Sequence, residues 1–163
     1  MHKAFASAAL LLVLLAPMLG HADVSVRQDS CNVFFENNKQ FTKVWFTVIN
    51  FSLPAPVCAV SFTSEPYPPT PNCVMVATGA PAGWSSNLID PGKADWFATA
   101  PPAACIPPDP AALSGFWFDL DPGFCCYVVE FKDANGNVML TQEECFCDNF
   151  VGVEESTWGD VKR

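Results

Sequence analysis

The chain has 163 residues, half of them hydrophobic, and 17 acidic against 8 basic residues give it a net charge of −9. That length suffices for one domain with a sizeable core. An acidic balance without a basic cluster argues against nucleic acid or anionic lipid as a partner.

Lys3 opens the chain, Ala4 to Leu19 is uncharged and rich in Leu and Ala, and Gly20-His21-Ala22 carries small residues at the positions a signal peptidase reads. Residues 1–22 therefore read as a cleaved signal peptide. The apolar run of 16 residues is shorter than the roughly 20 a membrane-spanning helix needs, so no membrane insertion is expected after cleavage. Removing the leader takes away Lys3 and leaves 141 residues with net −10. It also removes His2 and His21, the only histidines. The mature chain then lacks the usual neutral-pH general base and the commonest metal ligand.

The body alternates short apolar runs with Pro and Gly. Val24 to Gln28 alternates, and Cys31 to Glu36 ends at Asn37-Asn38. Phe41 to Phe51 is the longest strand candidate, with Val44, Phe46 and Val48 on one face and Trp45, Thr47 and Ile49 on the other. Cys58 to Thr63, Cys73 to Thr78 and Lys93 to Thr99 are further candidates. Leu113 to Leu120 places Phe116, Phe118 and Leu120 on one face. Phe124 to Asp133 and Val138 to Asp148 flank Asn135-Gly136, a strong hairpin signal. Pro54 to Pro56, Pro66 to Pro71 and Pro101 to Pro110 fall between strands, where a missing N–H does no harm. No helical period is sustained after the leader. The pattern predicts an all-β protein, a single disulfide-stapled antiparallel β-sandwich over residues 23–150, followed by a polar tail at 151–163.

Cys31, Cys58, Cys73, Cys105, Cys125, Cys126, Cys145 and Cys147 all follow the leader. An even count in an exported chain reads as a disulfide framework, with 105 possible connectivities for four bridges. A two-residue Asn135-Gly136 turn sets Cys126 opposite Cys145 at a hydrogen-bonded position, where Cα atoms lie about 5.5 Å apart and the side chains diverge. A direct bridge there requires a bulge or another register. The favoured alternative has Cys125 and Cys126, on opposite faces, stapling the hairpin to two other segments. A zinc site built from Cys125-Cys126 and Cys145-x-Cys147 is disfavoured, because the spacings depart from C-x₂₋₄-C.

Asn50-Phe51-Ser52 is an N-glycosylation sequon, and its place at a strand end predicts an exposed acceptor at Asn50. Asp119-Leu120-Asp121-Pro122-Gly123 has the look of a calcium loop, but Phe124 stands where glycine is needed. Asp121-Pro122-Gly123 and Asp90-Pro91-Gly92 read instead as turns. Glu143 and Glu144 point to opposite faces, so they cannot flank one bond. Asp95, Asp119 and Glu130 lie on separate strands, and no nucleophile motif is present. No catalytic residue, metal or cofactor is expected. Trp84, Trp117, Trp45 and Trp158 are the candidate binding residues. Trp84 and Trp158 are expected to be the most exposed, and Trp45 and Trp117 to lie opposite the Phe stripes.

The run Gly83-Trp84-Ser85-Ser86-Asn87, Trp96, Pro101-Pro102-Ala103-Ala104-Cys105-Ile106, Leu113-Ser114-Gly115-Phe116 and Tyr127-Val128-Val129-Glu130-Phe131 resembles small secreted β-sandwich proteins of green plants and algae. In size, leader, sequon and cysteine content the chain is also similar to secreted algal mating pheromones. The resemblance implies an exported, non-enzymatic glycoprotein and assigns no functional residue. The leading expectation is an extracellular signal or cell-surface ligand that meets a cell-surface protein. One alternative is a wall or glycan-binding module using Trp faces, and another is a hydrolase inhibitor presenting Pro101 to Pro110. The oligomeric state is left open.

Overall fold

The computed structural model describes residues 24–65, 73–121 and 124–147. The expected signal peptide, Trp158, the expected polar tail and Pro66 to Pro71 lie outside the described residues. Nine strands are present among them: β1 (Val24–Glu36), β2 (Lys39–Asn50), β3 (Ala59–Glu65), β4 (Met75–Gly79), β5 (Trp84–Asp90), β6 (Lys93–Ala98), β7 (Ala111–Leu120), β8 (Cys125–Lys132) and β9 (Val138–Phe146). They form two antiparallel sheets, ordered β1-β2-β7-β4 and β5-β6-β3-β8-β9. The all-β sandwich is therefore as expected. No described helix is long and apolar enough to cross a membrane.

Alternation decides which face each strand buries. Val44, Phe46 and Val48 of β2 and Phe116, Phe118 and Leu120 of β7 point inward and are fully buried. They meet Val60 and Phe62 of β3, Trp96 of β6, Tyr127, Val129 and Phe131 of β8, and Phe146 of β9. Phe46 is the hub. Its ring centroid lies 5.1 Å from Phe62, 5.3 Å from Trp96 and 5.3 Å from Phe116. Offset and edge-on contacts of this kind add to the burial of each ring.

Two runs that look separate in sequence join as β1. One extra residue bulges between Gln28 and Ser30, so the strand changes face without ending. Asn37 (φ 51°) and Asn38 (φ 62°) then turn the chain into β2. A two-residue hairpin turn needs the left-handed region at both positions, and Asn tolerates it. Asp90-Pro91-Gly92 turns as expected, with the Gly92 N–H donating to Asp90 Oδ1 at 2.8 Å. β5 carries no clear strand pattern in the sequence, because Ile89 is exposed alongside the outward Ser85 and Asn87 and only Trp84 and Leu88 reach the core.

The four bridges are Cys31–Cys147, Cys58–Cys105, Cys73–Cys125 and Cys126–Cys145, and no cysteine is free. Cys31–Cys147 and Cys73–Cys125 tie one sheet to the other. Cys125 and Cys126 do face opposite ways, but only Cys125 staples the hairpin to a distant segment. Cys126 bonds directly to Cys145 across the β8–β9 ladder, which corrects the favoured alternative. The reason lies in the hairpin loop. It closes between Asp133 and Asn137, with Gly136 at φ 81°, and an extra residue bulges between Val138 and Leu140. Loop and bulge together reverse the alternation of hydrogen-bonded and open pairs. Cys126 and Cys145 then meet with Cα atoms 4.0 Å apart, near the short spacing of an open pair.

Candidate functional site

The outer face of the β1-β2-β7-β4 sheet carries the chemistry. Phe34 opposes Phe41, Lys43 opposes Asp119, and Trp45 opposes Trp117. Phe34 and Phe41 stack at 5.6 Å, and Trp45 and Trp117 tilt together at 6.1 Å. All four rings are half-buried. The Lys43 ammonium sits among them, 3.9 Å from the Trp117 ring centroid, 5.7 Å from Phe34 and 6.0 Å from Trp45. It also lies 3.4 Å from Asp119 Oδ1. Trp117 is seated over Gly79 of the edge strand β4, where the indole fills the space a Cβ would need. Any side chain at position 79 would displace it.

Charge on this face is matched locally. Arg27 pairs with Asp29 at 3.0 Å and Lys39 with Asp121 at 2.8 Å, alongside Lys43 with Asp119. Asp29 also accepts a hydrogen bond from Thr47 Oγ1 at 2.6 Å. Asp119 and Asp121 thus each pair with a lysine, and Pro122-Gly123 lies outside the described residues. Burial raises the Asp119 pKa above the usual carboxylate range, Lys43 opposes the shift, and Glu36 adds to it.

Trp84 does not belong to this face. It is 6% exposed, its ring meets Phe116 edge-on at 5.1 Å, and its Nε1–H donates to the Ala104 carbonyl at 2.8 Å. The expectation of exposure after Pro81-Ala82-Gly83 is therefore corrected. Gly83, at φ 83°, turns the chain so that the indole enters the core. Of the four candidate tryptophans, the structure brings together Trp45 and Trp117 and separates Trp84. Phe34, Phe41 and Lys43 complete the patch. Their signal in the sequence was the shared outward parity with Trp45 across the Asn37-Asn38 turn.

Asn50 likewise differs from expectation. Its exposure is 0%. Its Nδ2 donates to the Ile106 carbonyl at 3.2 Å and the Ala55 carbonyl at 3.4 Å, and its Oδ1 accepts from the Leu53 N–H at 3.2 Å. A glycan is bulky and needs a surface amide, so the folded chain has no room for one here. The mature protein is expected to show no mass loss on treatment with peptide N-glycosidase. Asn50→Ala, which orphans buried groups, is expected to cost about 1–3 kcal/mol of stability, read from urea denaturation.

The remaining carboxylates do not converge. Asp95 and Glu130 flank Ser61 across three strands on the outer face of the other sheet, about 9.5 Å apart by strand spacing. Lys132 bonds to Ser61 Oγ at 2.7 Å and pairs with Glu130 at 3.0 Å. Cys126, Glu143 and Cys145 cluster within 4.8 Å, but both sulfurs are in one disulfide and neither is a thiolate ligand. Glu143 is exposed while Glu144 faces the seam between β9 and β1. There Glu144 accepts from Gln142 Nε2 at 2.7 Å, and burial raises its pKa while the Val26 backbone lowers it.

A carboxyl with a raised folded pKa stabilises the fold fully below its ordinary pKa, and that contribution is lost as pH rises through the raised value. Glu144→Gln removes this penalty. The melting temperature of the variant minus that of the wild type is expected to be near zero at pH 4 and positive at pH 7. A difference that stays constant across that range would refute the assignment.

Fold and site together define a disulfide-stapled antiparallel β-sandwich with one aromatic, charge-matched sheet face. No protein-family model matches the chain, and no curated protein aligns with it. Among solved structures it is similar to an uncharacterized protein from Nocardia farcinica with an immunoglobulin-like fold. That match has 16% identity and a TM-score of 0.49, and it covers 72% of this chain and 81% of the other.

Proposed function

We propose that this is a secreted, non-enzymatic recognition protein, a pheromone-like signal or cell-surface ligand, and that it grips a partner protein through the Phe34, Phe41, Lys43, Trp45 and Trp117 face. The observation that carries the reading is a half-buried aromatic cluster on a sheet face most of whose charges are already paired. Such rings lose little conformational freedom on binding and are the residues that dominate protein interfaces. Four disulfides suit an oxidising, extracellular setting. The lack of histidine after residue 21 and the pairing of Asp119, Asp121 and Glu130 with lysines favour recognition over catalysis.

A protein partner is favoured over a glycan by the position of Lys43. Its ammonium covers the Trp117 ring at 3.9 Å and is held by Asp119. A sugar ring stacking on that indole would have to displace a paired cation.

The test applies labelled mature protein to cells of its own source. Saturable binding is expected, undiminished by soluble mono- or polysaccharide. Trp45→Ala is expected to weaken it about 30-fold, the size of a hot-spot loss, with the melting temperature held. Binding that soluble polysaccharide abolishes, or that Trp45→Ala leaves intact, would overturn the reading.

A further inference from the structure

The proline-rich end of the sandwich is tied to the strands by a disulfide and backbone hydrogen bonds. Residues 99–110 link β6 to β7, and five separate contacts tie them down, four of them at their centre. Cys105 is bonded to Cys58. Ile106 and Val57 exchange backbone hydrogen bonds at 2.9 and 2.8 Å. The Ala104 carbonyl accepts from the buried Trp84 indole, and the Ile106 carbonyl accepts from the buried Asn50 amide. Thr99 N–H donates to the Gly83 carbonyl at 2.9 Å. On either side of this anchored centre the chain is exposed, at Pro101-Pro102-Ala103 and at Pro107-Pro108-Asp109-Pro110. Phe51, 45% exposed, and Pro54 stand in the neighbouring β2–β3 loop.

Acceptors outnumber donors on this surface. Pro101, Pro107, Pro108 and Pro110 each offer a carbonyl and no N–H, while Pro102 also lacks the N–H but its carbonyl accepts from the Cys105 N–H at 3.0 Å. The N–H groups of Thr99, Ala104, Cys105 and Ile106 are consumed inside the protein. Asp109, the one charged side chain in the segment, adds two more acceptors. A complementary surface must supply donors and flat apolar area together. Trp and Tyr side chains do both, and proline rings pack well on their faces.

We infer that the 99–110 loop is a preformed ligand for a groove lined by Trp and Tyr on a partner protein, a second contact surface distinct from the aromatic sheet face. Asn50 and Trp84 act as positioning residues: they hold the Ala104–Ile106 backbone so that the prolines on both sides are presented without further ordering. A loop fixed in advance loses little entropy on binding.

The first test titrates ¹⁵N-labelled mature protein with N-acetyl-tryptophanamide, and separately with N-acetyl-leucinamide. Chemical-shift changes are expected in residues 99–110 and at Phe51 with the tryptophan amide, at least fivefold larger than with the leucine amide. The exposed double variant Pro107→Ala/Pro108→Ala, which keeps every anchor, is expected to lose them by a similar factor. Changes confined to the Phe34–Trp117 sheet face, or equal with both amides, would overturn the proposal while leaving the sheet-face reading standing. The second test places a photo-crosslinker at Ala103 and applies the protein to source cells. The expected adduct is a protein peptide containing Trp or Tyr, formed also by a Trp45→Ala protein at saturating dose. Adducts only with lipid, glycan or aromatic-free peptide would overturn it.

Discussion

Serine at both Cys31 and Cys147 is expected to remove about 5 kcal/mol of stability. The bridge closes a separation of 116 residues, and the loop-closure entropy released to the unfolded chain scales with the logarithm of that length. Its location adds to the effect. β1 lies at the edge of one sheet and β9 at the edge of the other, and few contacts join them besides the bridge, the Cys147 N–H to Gln28 Oε1 bond at 2.7 Å, and the Glu144 contact to Val26. Losing the staple lets the seam open over Val24 and Val26, which are buried. Against a total of about 5–15 kcal/mol for a typical domain, the double variant should be largely unfolded at 37 °C.

The Cys126–Cys145 bridge is the internal control. It spans only 19 residues and lies across strands already paired in register, so its removal should cost well below the roughly 3 kcal/mol that its loop length alone implies. Urea denaturation of both double variants, with the other three bridges intact, reads the difference. Equal losses from the two would mean that the inter-sheet staple has no special role.

The second large effect is expected from Phe46→Ala, at about 3–5 kcal/mol. Phe46 belongs to β2, yet it touches Phe62 of β3, Trp96 of β6 and Phe146 of β9 in the facing sheet, besides Phe116 and Phe118 of its neighbour β7. Truncation leaves a cavity walled by rings from both sheets, and rings held by strand backbones cannot collapse far into it. Phe97→Ala is the matched comparison, since Phe97 follows Trp96 on β6 but is 42% exposed and should change stability by well under 1 kcal/mol. If Phe46→Ala cost no more than Phe97→Ala, the two sheets would not share one core.

The same contrast explains how much could be read before folding. Alternation in β2 and β7 announced which residues share a face, because sheet parity is local: Phe46 and Phe118 turn in, Trp45 and Trp117 turn out. The all-β architecture followed from that parity and from the proline spacing. What stayed illegible depended on partners far away in sequence. Trp84 is buried because its indole finds Ala104, 20 residues on. Asn50 reads as a sugar acceptor from its own triplet, but its role is decided by Ile106, 56 residues on. The Cys126–Cys145 bridge hinged on the loop closed between Asp133 and Asn137 together with one bulged residue in β9, neither of which a two-residue turn rule contains. Lys43 emerged as the centre of the aromatic patch only once β1, β2 and β7 were laid side by side.

The pairing of Arg27, Lys39 and Lys43 with Asp29, Asp121 and Asp119 has a kinetic consequence. A face whose ions are mostly cancelled at contact distance projects little long-range field, so encounters there are only weakly steered. Association through it should proceed at the unassisted pace of about 10⁵–10⁶ M⁻¹s⁻¹. Ionic strength should alter that pace little, even though the molecule as a whole is strongly anionic.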